Sequence, residues 1–229
     1  MTKTAVCICS GGIDSTVAAT IAANEGYELH LVHASYGQRA EVREKEAVKK
    51  IARYLGLMEN ELKFVEIPFL TVLGTSALID PWINVPLDVD VDLNEERETP
   101  QTWVPCRNLV LLAHASAYAE VIGAEAIFAG FNAEEARSYP DNGVEFVKRY
   151  NALLEEAVAS FSRVPSVKAP LISLFKPEII KKGYGAGAPL HSTYSCYLGD
   201  AAHCGSCESC LRRKRGFKEA GVEDPTVYH

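Results

Sequence analysis

Ser10-Gly11-Gly12-Ile13-Asp14-Ser15 decides the fold of this chain. It follows an apolar run, Thr4-Ala5-Val6-Cys7-Ile8-Cys9, that reads as a buried strand. It leads into Ser15-Thr16-Val17-Ala18-Ala19-Thr20-Ile21-Ala22-Ala23, which reads as a helix. A strand, a turn of small residues and a helix N-terminus together make an anion site. Glycines let the backbone approach an oxyanion closely, and the open N–H groups of the first helical turn point at it. Ser10, Ser15 and Thr16 add hydroxyl donors. No lysine follows the glycines, so this is not the G-x-x-x-x-G-K-[ST] loop that holds an intact triphosphate for phosphoryl transfer.

Outward from this junction, strand-like and helix-like segments alternate. Residues 28–34 read as a second strand, and residues 39–55 as a charged helix with an apolar stripe of Val42, Ala47, Val48, Ile51, Ala52 and Leu55, stopped by Gly56. Residues 62–67 read as a third strand ended by Pro68, 107–122 as a buried helix stopped by Gly123, and 125–130 as a fourth strand. A helix over 144–160, a short strand over 167–171 and a short helix over 176–182 follow. Residues 81–105 form a Pro- and acid-rich excursion with little periodicity, and loops of that length in compact domains are usually functional or mobile. Such alternation predicts an α/β fold: a doubly wound parallel sheet of about five strands in a single domain spanning residues 1–229. Ligands of such sheets sit at the carboxyl ends of strands near a topological switch point. The loop after the first strand, residues 33–39 and residues 131–141 should therefore converge on one cleft.

Composition sets the class. The chain has 229 residues, 48% of them apolar, enough for one sizeable core. A net charge of -7 argues against broad electrostatic binding to nucleic acid or to an anionic membrane. No apolar run is long enough to span a bilayer, and no signal-peptide pattern opens the chain, so the expected location is cytoplasmic. Four of the seven cysteines crowd the C-terminal end, which in a reducing compartment favours metal over disulfides. Cys204-x2-Cys207-x2-Cys210, with Cys196 upstream, offers four thiolates, and a closed four-thiolate shell suits structural zinc in a small subdomain at about 190–217. That segment is polar, so the metal would contribute directly to its folding. Two other readings stay open: three thiols on one face of a helix, weakened by Gly205 and Ser206, and an iron–sulfur cluster. His203 is read as a neighbour of the cluster, although it too is a possible ligand.

The S-G-G-[IL]-D-S pattern resembles the PP-loop of ATP pyrophosphatases, with their adenine-nucleotide α-hydrolase-like fold. Together with the C-terminal cysteines, it resembles the 7-cyano-7-deazaguanine synthase family of the queuosine and archaeosine pathways. Further stretches agree. Ser35-Tyr36-Gly37-Gln38-Arg39 is similar to D-Y-G-Q-R, Gly74-Thr75-Ser76-Ala77-Leu78-Ile79-Asp80 to G-x-S-A-L-T-D, and Val104-Pro105-Cys106-Arg107-Asn108 to V-P-[AG]-R-N. Gly130-Phe131-Asn132-Ala133 and Tyr139-Pro140-Asp141 resemble G-x-N-A and Y-P-D, and Ser195-Cys196-Tyr197 resembles W-S-C-Y. Cys204 to Phe217 follows C-G-x-C-x-S-C-x-x-R-x-x-G-F with a small shift in the basic run.

The resemblance implies an EC class 6 ligase that uses ATP and magnesium to adenylate 7-carboxy-7-deazaguanine. Ammonia then converts the acid to the amide, and a second adenylation yields the nitrile. It implies that Ser10, Gly11, Gly12, Ile13, Asp14, Ser15 and Thr16 cradle pyrophosphate and magnesium, with Gln38, Arg39 and Lys176 also on the nucleotide. Asp14 and Arg107 become the catalytic candidates, and Arg107, Asn132, Tyr139 and Asp141 the substrate-binding ones. Structural alternatives accompany several of these: a polar helix start for Gln38 and Arg39, a Pro140-Asp141 turn, and an ordinary Lys176-Pro177-Glu178 helix start. Cys106 is read as a packing residue with no covalent role. A homodimer is implied, with the 81–105 excursion and the 143–160 segment as candidate surfaces.

The departures lie around the substrate. The family's D-Y-S-G stretch is missing from Glu134-Glu135-Ala136-Arg137-Ser138, and Arg137 is expected beside the base pocket. Ser35 and Tyr194 replace the D of D-Y-G-Q-R and the W of W-S-C-Y. The alternative is therefore a ligase that stops at the amide or couples the activated acid to another amine, even one on a protein. Arg212-Arg213-Lys214-Arg215 would support a zinc-knuckle nucleic-acid binder, but in an acidic chain the run reads as a solvated helix face.

Overall fold

The computed structural model describes residues 3–88, 91, 93, 99–159 and 163–229. Five parallel strands make one sheet: β1 (Lys3–Ile8), β2 (Tyr27–Ser35), β3 (Leu62–Glu66), β4 (Ala126–Phe128) and β5 (Ser166–Lys168), in the order β3-β2-β1-β4-β5. The chain winds outward from β1 to β2 and β3, then returns across the sheet to β4 on the other side of β1. The switch point is therefore the crevice between the carboxyl ends of β1 and β4.

The pleat sorts the strand side chains into two cores. Ala5, Cys7, Leu29 and Leu31 face α1 (Ile13–Asn24) and α2 (Glu41–Tyr54), where they meet Ala19, Ala22, Ala47, Val48 and Ile51. Val6, Val32, Ile127 and Val167 face α4 (Arg107–Ile122) and α5 (Val144–Ala157), packing on Leu112, Ala115, Ala119, Tyr150 and Leu154. Each valine, leucine or isoleucine buried in this way is worth about 1.5–3 kcal/mol. α1 is apolar on nearly every side because it is covered twice. Its Ile13, Val17 and Ala18 pack outward on Ile179 and Ile180 of α6 (Lys176–Gly185) and Phe217 of α7 (Glu208–Ala220). A Cβ at Gly183 would sit 2.4 Å from Val17 Cγ2, so only glycine lets α6 lie this close to α1.

The structure adds one helix to those expected, α3 (Pro68–Val72), and gives the helix read at Arg212–Arg215 its bounds as α7. The strand expected over 167–171 stops at Lys168, short of Pro170, which has no N–H for a ladder. The helix expected over 176–182 runs on to Gly185, and the one expected over 144–160 ends at Ala157; residue 160 lies outside the described residues. Residues 89, 90, 92 and 94–98 of the 81–105 excursion also lie outside them. Its described parts fold back on the molecule, Ala77 N–H donating to Gln101 O at 2.7 Å and Asp88 N–H to Ser206 O at 2.9 Å. No helix among the described residues is long and apolar enough to cross a membrane.

Candidate active site and metal centre

The turn after β1 is built for close approach. Gly11 has φ +85°, which glycine adopts without strain, and a Cβ there would lie 2.9 Å from Glu44 O. Gly12 caps α1 with no side-chain hydrogen bond, so the first-turn N–H groups open toward the switch point. Gly130, just past β4, faces them. A Cβ there would lie 2.7 Å from Ser15 N and 2.8 Å from Asp14 C, so any side chain would push the turn away.

A cleft of about 240 Å3 lies over this junction, walled by the loops after β1, β2 and β4 and by α7. Of the residues expected at the site, its wall includes Ser10, Gly12, Ile13, Asp14, Ser15, Gln38, Arg39, Arg107, Tyr139 and Lys176. Gly11, Thr16, Asn132 and Asp141 stand behind that wall. Thr16 is fully buried and its hydroxyl donates to Gly12 O at 2.7 Å, closing the turn rather than facing the cleft. Ser15 Oγ accepts the Ser10 N–H at 3.2 Å.

The floor carries an ion pair. Lys176 Nζ lies 2.5 Å from Asp14 Oδ2, with Glu135 Oε1 at 3.9 Å from the same nitrogen. Burial lifts the Asp14 carboxyl above the usual range, and Lys176 opposes that. Burial would lower Lys176, but Asp14 and Glu135 outweigh it and hold the ammonium protonated. Asp14 Oδ1 is buried and has no hydrogen-bond partner among the described residues. Asn132, completely buried, places Nδ2 3.5 Å from Asp14 Oδ2 while its Oδ1 accepts the Glu135 N–H at 2.9 Å. It positions the acids and lies behind the cleft wall.

The opposite wall is made by Arg107, Tyr36, Gln38 and Glu44. Arg107 starts α4 after Cys106, which sits in a left-handed turn at φ 54°. Its Nη1 donates to Tyr36 Oη at 3.3 Å; burial works against its charge, but Tyr36 outweighs that and keeps it protonated. Asp141 accepts two hydrogen bonds from Asn108, at N (3.1 Å) and Nδ2 (3.0 Å), so it fastens the first turn of α4 beside Arg107. Tyr139 pairs its hydroxyl with Thr102 Oγ1 at 2.8 Å and stacks on Trp103, leaving an aromatic surface in the cleft. Gln38 and Arg39 are engaged with the protein itself. Arg39 donates to the carbonyls of Ala77, Asp80 and Ile83 at 2.7–2.8 Å, and Gln38 bridges Tyr36 N–H and Glu44.

Two readings of the sequence need correction. Arg137 lies over the Phe175 ring, 5.0 Å from its centroid, and is not part of the cleft wall. Arg212 and Arg213 are buried within α7 and do not form a solvated face. Arg212 pairs with Glu208 at 2.8 Å and, with Arg215, grips the Glu134 carboxylate, whose other oxygen accepts the Lys176 N–H at 3.1 Å. Arg213 donates to Asp224, Thr193 and Ser195. Glu134 and Glu44 join the site unannounced by the sequence. An acidic residue in a loop or on a charged helix carries no local signal of what it will face.

The four cysteines converge. Sγ atoms of Cys196, Cys204, Cys207 and Cys210 lie within 4.8 Å of one another, and Cys204 Sγ is 3.9 Å from Cys210 Sγ. A tetrahedral zinc with Zn–S of about 2.3 Å needs sulfurs about 3.8 Å apart. N–H groups of Cys204, Ser206 and Cys207 point at the sulfurs of Cys196 and Cys204 at 3.3–3.5 Å, as suits thiolates. The chain does not carry them on one helix face: Cys207 caps α7, only Cys210 lies inside it, and Gly205 turns the backbone at φ +74° before it. His203 Nε2 accepts the Ser195 N–H at 3.0 Å, and no His203 nitrogen is among the atoms that converge with the four thiols.

Comparison with known proteins shows the family. Residues 4–221 match the family model described as "Queuosine biosynthesis protein QueC". A 7-cyano-7-deazaguanine synthase of Methanothrix thermoacetophila is 54% identical over 224 residues, 98% of each chain. Synthases of that name from Methanococcus aeolicus and Desulfitobacterium hafniense are each 41% identical, covering 98% and 99% of this chain and 98% and 93% of their own. Among solved structures, a 4-thiouridine synthetase–RNA complex with bound ATP superposes with a TM-score of 0.52 at 21% identity, over 96% of this chain and 50% of that one. That likeness is one of fold.

Proposed function

This chain belongs to the queuosine biosynthesis protein QueC family, and from that premise we propose that it adenylates 7-carboxy-7-deazaguanine and converts it with ammonia, through the amide, to 7-cyano-7-deazaguanine. The observation that supports this most directly is the pairing of an open helix N-terminus with Asp14, Lys176 and Arg107 around one cleft at the switch point. A carboxylate is a poor acyl donor because its leaving group would be oxide. Adenylation replaces oxide with a stabilised phosphate, and the site must then clamp a departing pyrophosphate and exclude water from the mixed anhydride.

In this reading the turn from Ser10 to Ser15 receives pyrophosphate on backbone N–H groups. Lys176 supplies a buried positive charge beside it. Arg107, fixed by Tyr36 and by the Asp141–Asn108 clamp behind it, faces the α-phosphate and the substrate carboxylate. The Tyr139 face offers a stacking surface for the deazaguanine ring. Magnesium fits the same place, because Asp14 Oδ1 is a hard oxygen, buried and unpartnered. Bound there, it would neutralise pyrophosphate charge. Zinc fits the four-cysteine cluster on sulfur spacing, and a closed thiolate shell holds structure.

Mass spectrometry of products from 7-carboxy-7-deazaguanine, magnesium-ATP and ammonium tests the reading. AMP with the nitrile is the expected result. AMP with the amide alone marks a chain that stops early. An adenylate that ignores ammonium transfers to another amine, and no AMP at all overturns the acid substrate.

A further inference from the structure

The adenylation proposed above leaves one task without a residue. When ammonia attacks an acyl adenylate, its nitrogen becomes positive and must lose a proton before AMP departs. Forming a nitrile from the amide then removes the remaining N–H protons. A base is needed inside the cleft, within reach of the nitrogen.

Most titratable groups of the cleft are committed. Asp14 and Glu135 face Lys176, and Glu208 faces Arg212. His33 is buried, its Nδ1 bound to Cys9 O at 3.0 Å, and burial lowers it to about 4, too weak a base for this purpose. Burial raises the phenols of Tyr36 and Tyr139, which stay protonated.

Glu44 is different. It lies on the first turns of α2, in the cleft wall shared with Arg107, and its backbone packs on Gly11 of the loop. Gln38 fixes it: Gln38 Oε1 accepts the Tyr36 N–H at 2.8 Å, so its Nε2 must face Ala34 O (3.0 Å) and Glu44 Oε2 (2.8 Å). One carboxylate oxygen is thereby held. The other, Oε1, has no hydrogen-bond partner among the described residues. Burial raises the Glu44 carboxyl to about 7, with Gln38 and then Arg107 pulling against it.

We propose that Glu44 is the general base of the nitrogen-transfer steps, receiving on Oε1 the proton shed by the incoming ammonia and, later, the N–H proton lost as the nitrile forms; the assignment rests on the adenylation reading. In the first step the ammonia lone pair forms the C–N bond, a proton passes from nitrogen to Glu44, and the C–O bond to AMP breaks with its electron pair leaving on AMP. In the later steps the amide oxygen takes the adenylyl group as pyrophosphate leaves and one N–H proton passes to solvent; the resulting imidate then loses its remaining N–H proton to Glu44 and its C–O bond to AMP, leaving the C≡N triple bond. Each time the proton returns to solvent. Gln38 is a positioning residue that holds Oε2 and so fixes the carboxylate in the cleft wall.

The test compares two partial reactions of the full chain. Acid-dependent exchange of labelled pyrophosphate into ATP reports adenylation, and amide formation from ammonium reports nitrogen transfer. For Glu44→Gln, which keeps the shape, amide formation falls at least 100-fold more than exchange does, the order of a lost general base. Hydroxylamine, whose weakly basic nitrogen sheds its proton to water, restores product as the hydroxamate. Glu44→Asp regains part of the ammonium rate. Equal losses in exchange and amide formation, or a Glu44→Gln chain that uses ammonium normally, overturn the proposal. Absence of acid-dependent exchange in the unaltered chain overturns the adenylation reading instead, and this proposal with it.

Discussion

Asp14 and Lys176 are the pair on which the cleft floor depends. Their side chains are 16% and 9% exposed, so neither charge is well solvated without the other. Lys176→Met should cost about 3 kcal/mol of stability, because it strands a buried carboxylate. Adding Asp14→Asn should recover much of that loss in urea titrations while pyrophosphate exchange stays abolished. Additive losses in the double variant would show that the two groups are not coupled. Glu44 carries a separate signature. Its carboxyl is raised from 4.5 in the free side chain to about 7 in the fold, so between those values the unfolded chain holds fewer protons than the native one. Stability therefore falls as pH climbs from 4.5 to 7 and the loss is complete above 7. Glu44→Gln removes the penalty. Its melting temperature should exceed that of the unaltered chain by a few degrees at pH 8 and match it near pH 5. An equal gap at both pH values would mean that the carboxyl titrates normally.

Between elements, the decisive contacts are glycines set where helices touch. Gly216 of α7 meets α6 at Lys176: a Cβ there would lie 2.6 Å from Lys176 Cγ and 2.8 Å from Ile180 Cδ1. Gly216→Ala should cost about 1–3 kcal/mol as the helices separate. It should also shift Lys176 away from Asp14, so that KM for ATP rises more than the stability loss explains. Steady-state kinetics below the melting transition check this, and an unchanged KM would show that Lys176 absorbs the methyl group. The same elements show what a sequence makes legible. β1, its turn and α1 are read directly, because an apolar run, two glycines and a small-residue helix are local signals. α7 is not, because Arg212 and Arg213 look like surface residues until Glu134, Glu208 and Asp224 close around them. Glu44 hides for the same reason on a helix of mostly exposed charges. Arg107 is legible since it opens an otherwise apolar helix, while Asn132 and Asp141 turn out to act on neighbours behind the wall.

At the scale of the whole molecule, the cysteine cluster and the turn after β1 are parts of one construction. Tyr194, two residues before Cys196, donates its N–H to Gly11 O at 2.9 Å. α7 begins at the cluster and presents Arg212 to Glu134, which in turn holds the Lys176 N–H. Arg213, 1% exposed, ties the same helix to Thr193 and Asp224. The fold thus routes support for both sides of the turn through the segment that carries the four cysteines. With zinc at the cluster as proposed, stripping it with a chelator should lower the melting temperature and release α7 protection in hydrogen exchange. It should also weaken ATP binding, although no cysteine of the cluster lines the cleft. Adding zinc back should restore all three, and Cys210→Ser should reproduce the loss without chelator. ATP affinity that survives full removal of the metal would show that the sheet and α1 alone hold the turn, and that the knuckle serves only its own corner of the fold.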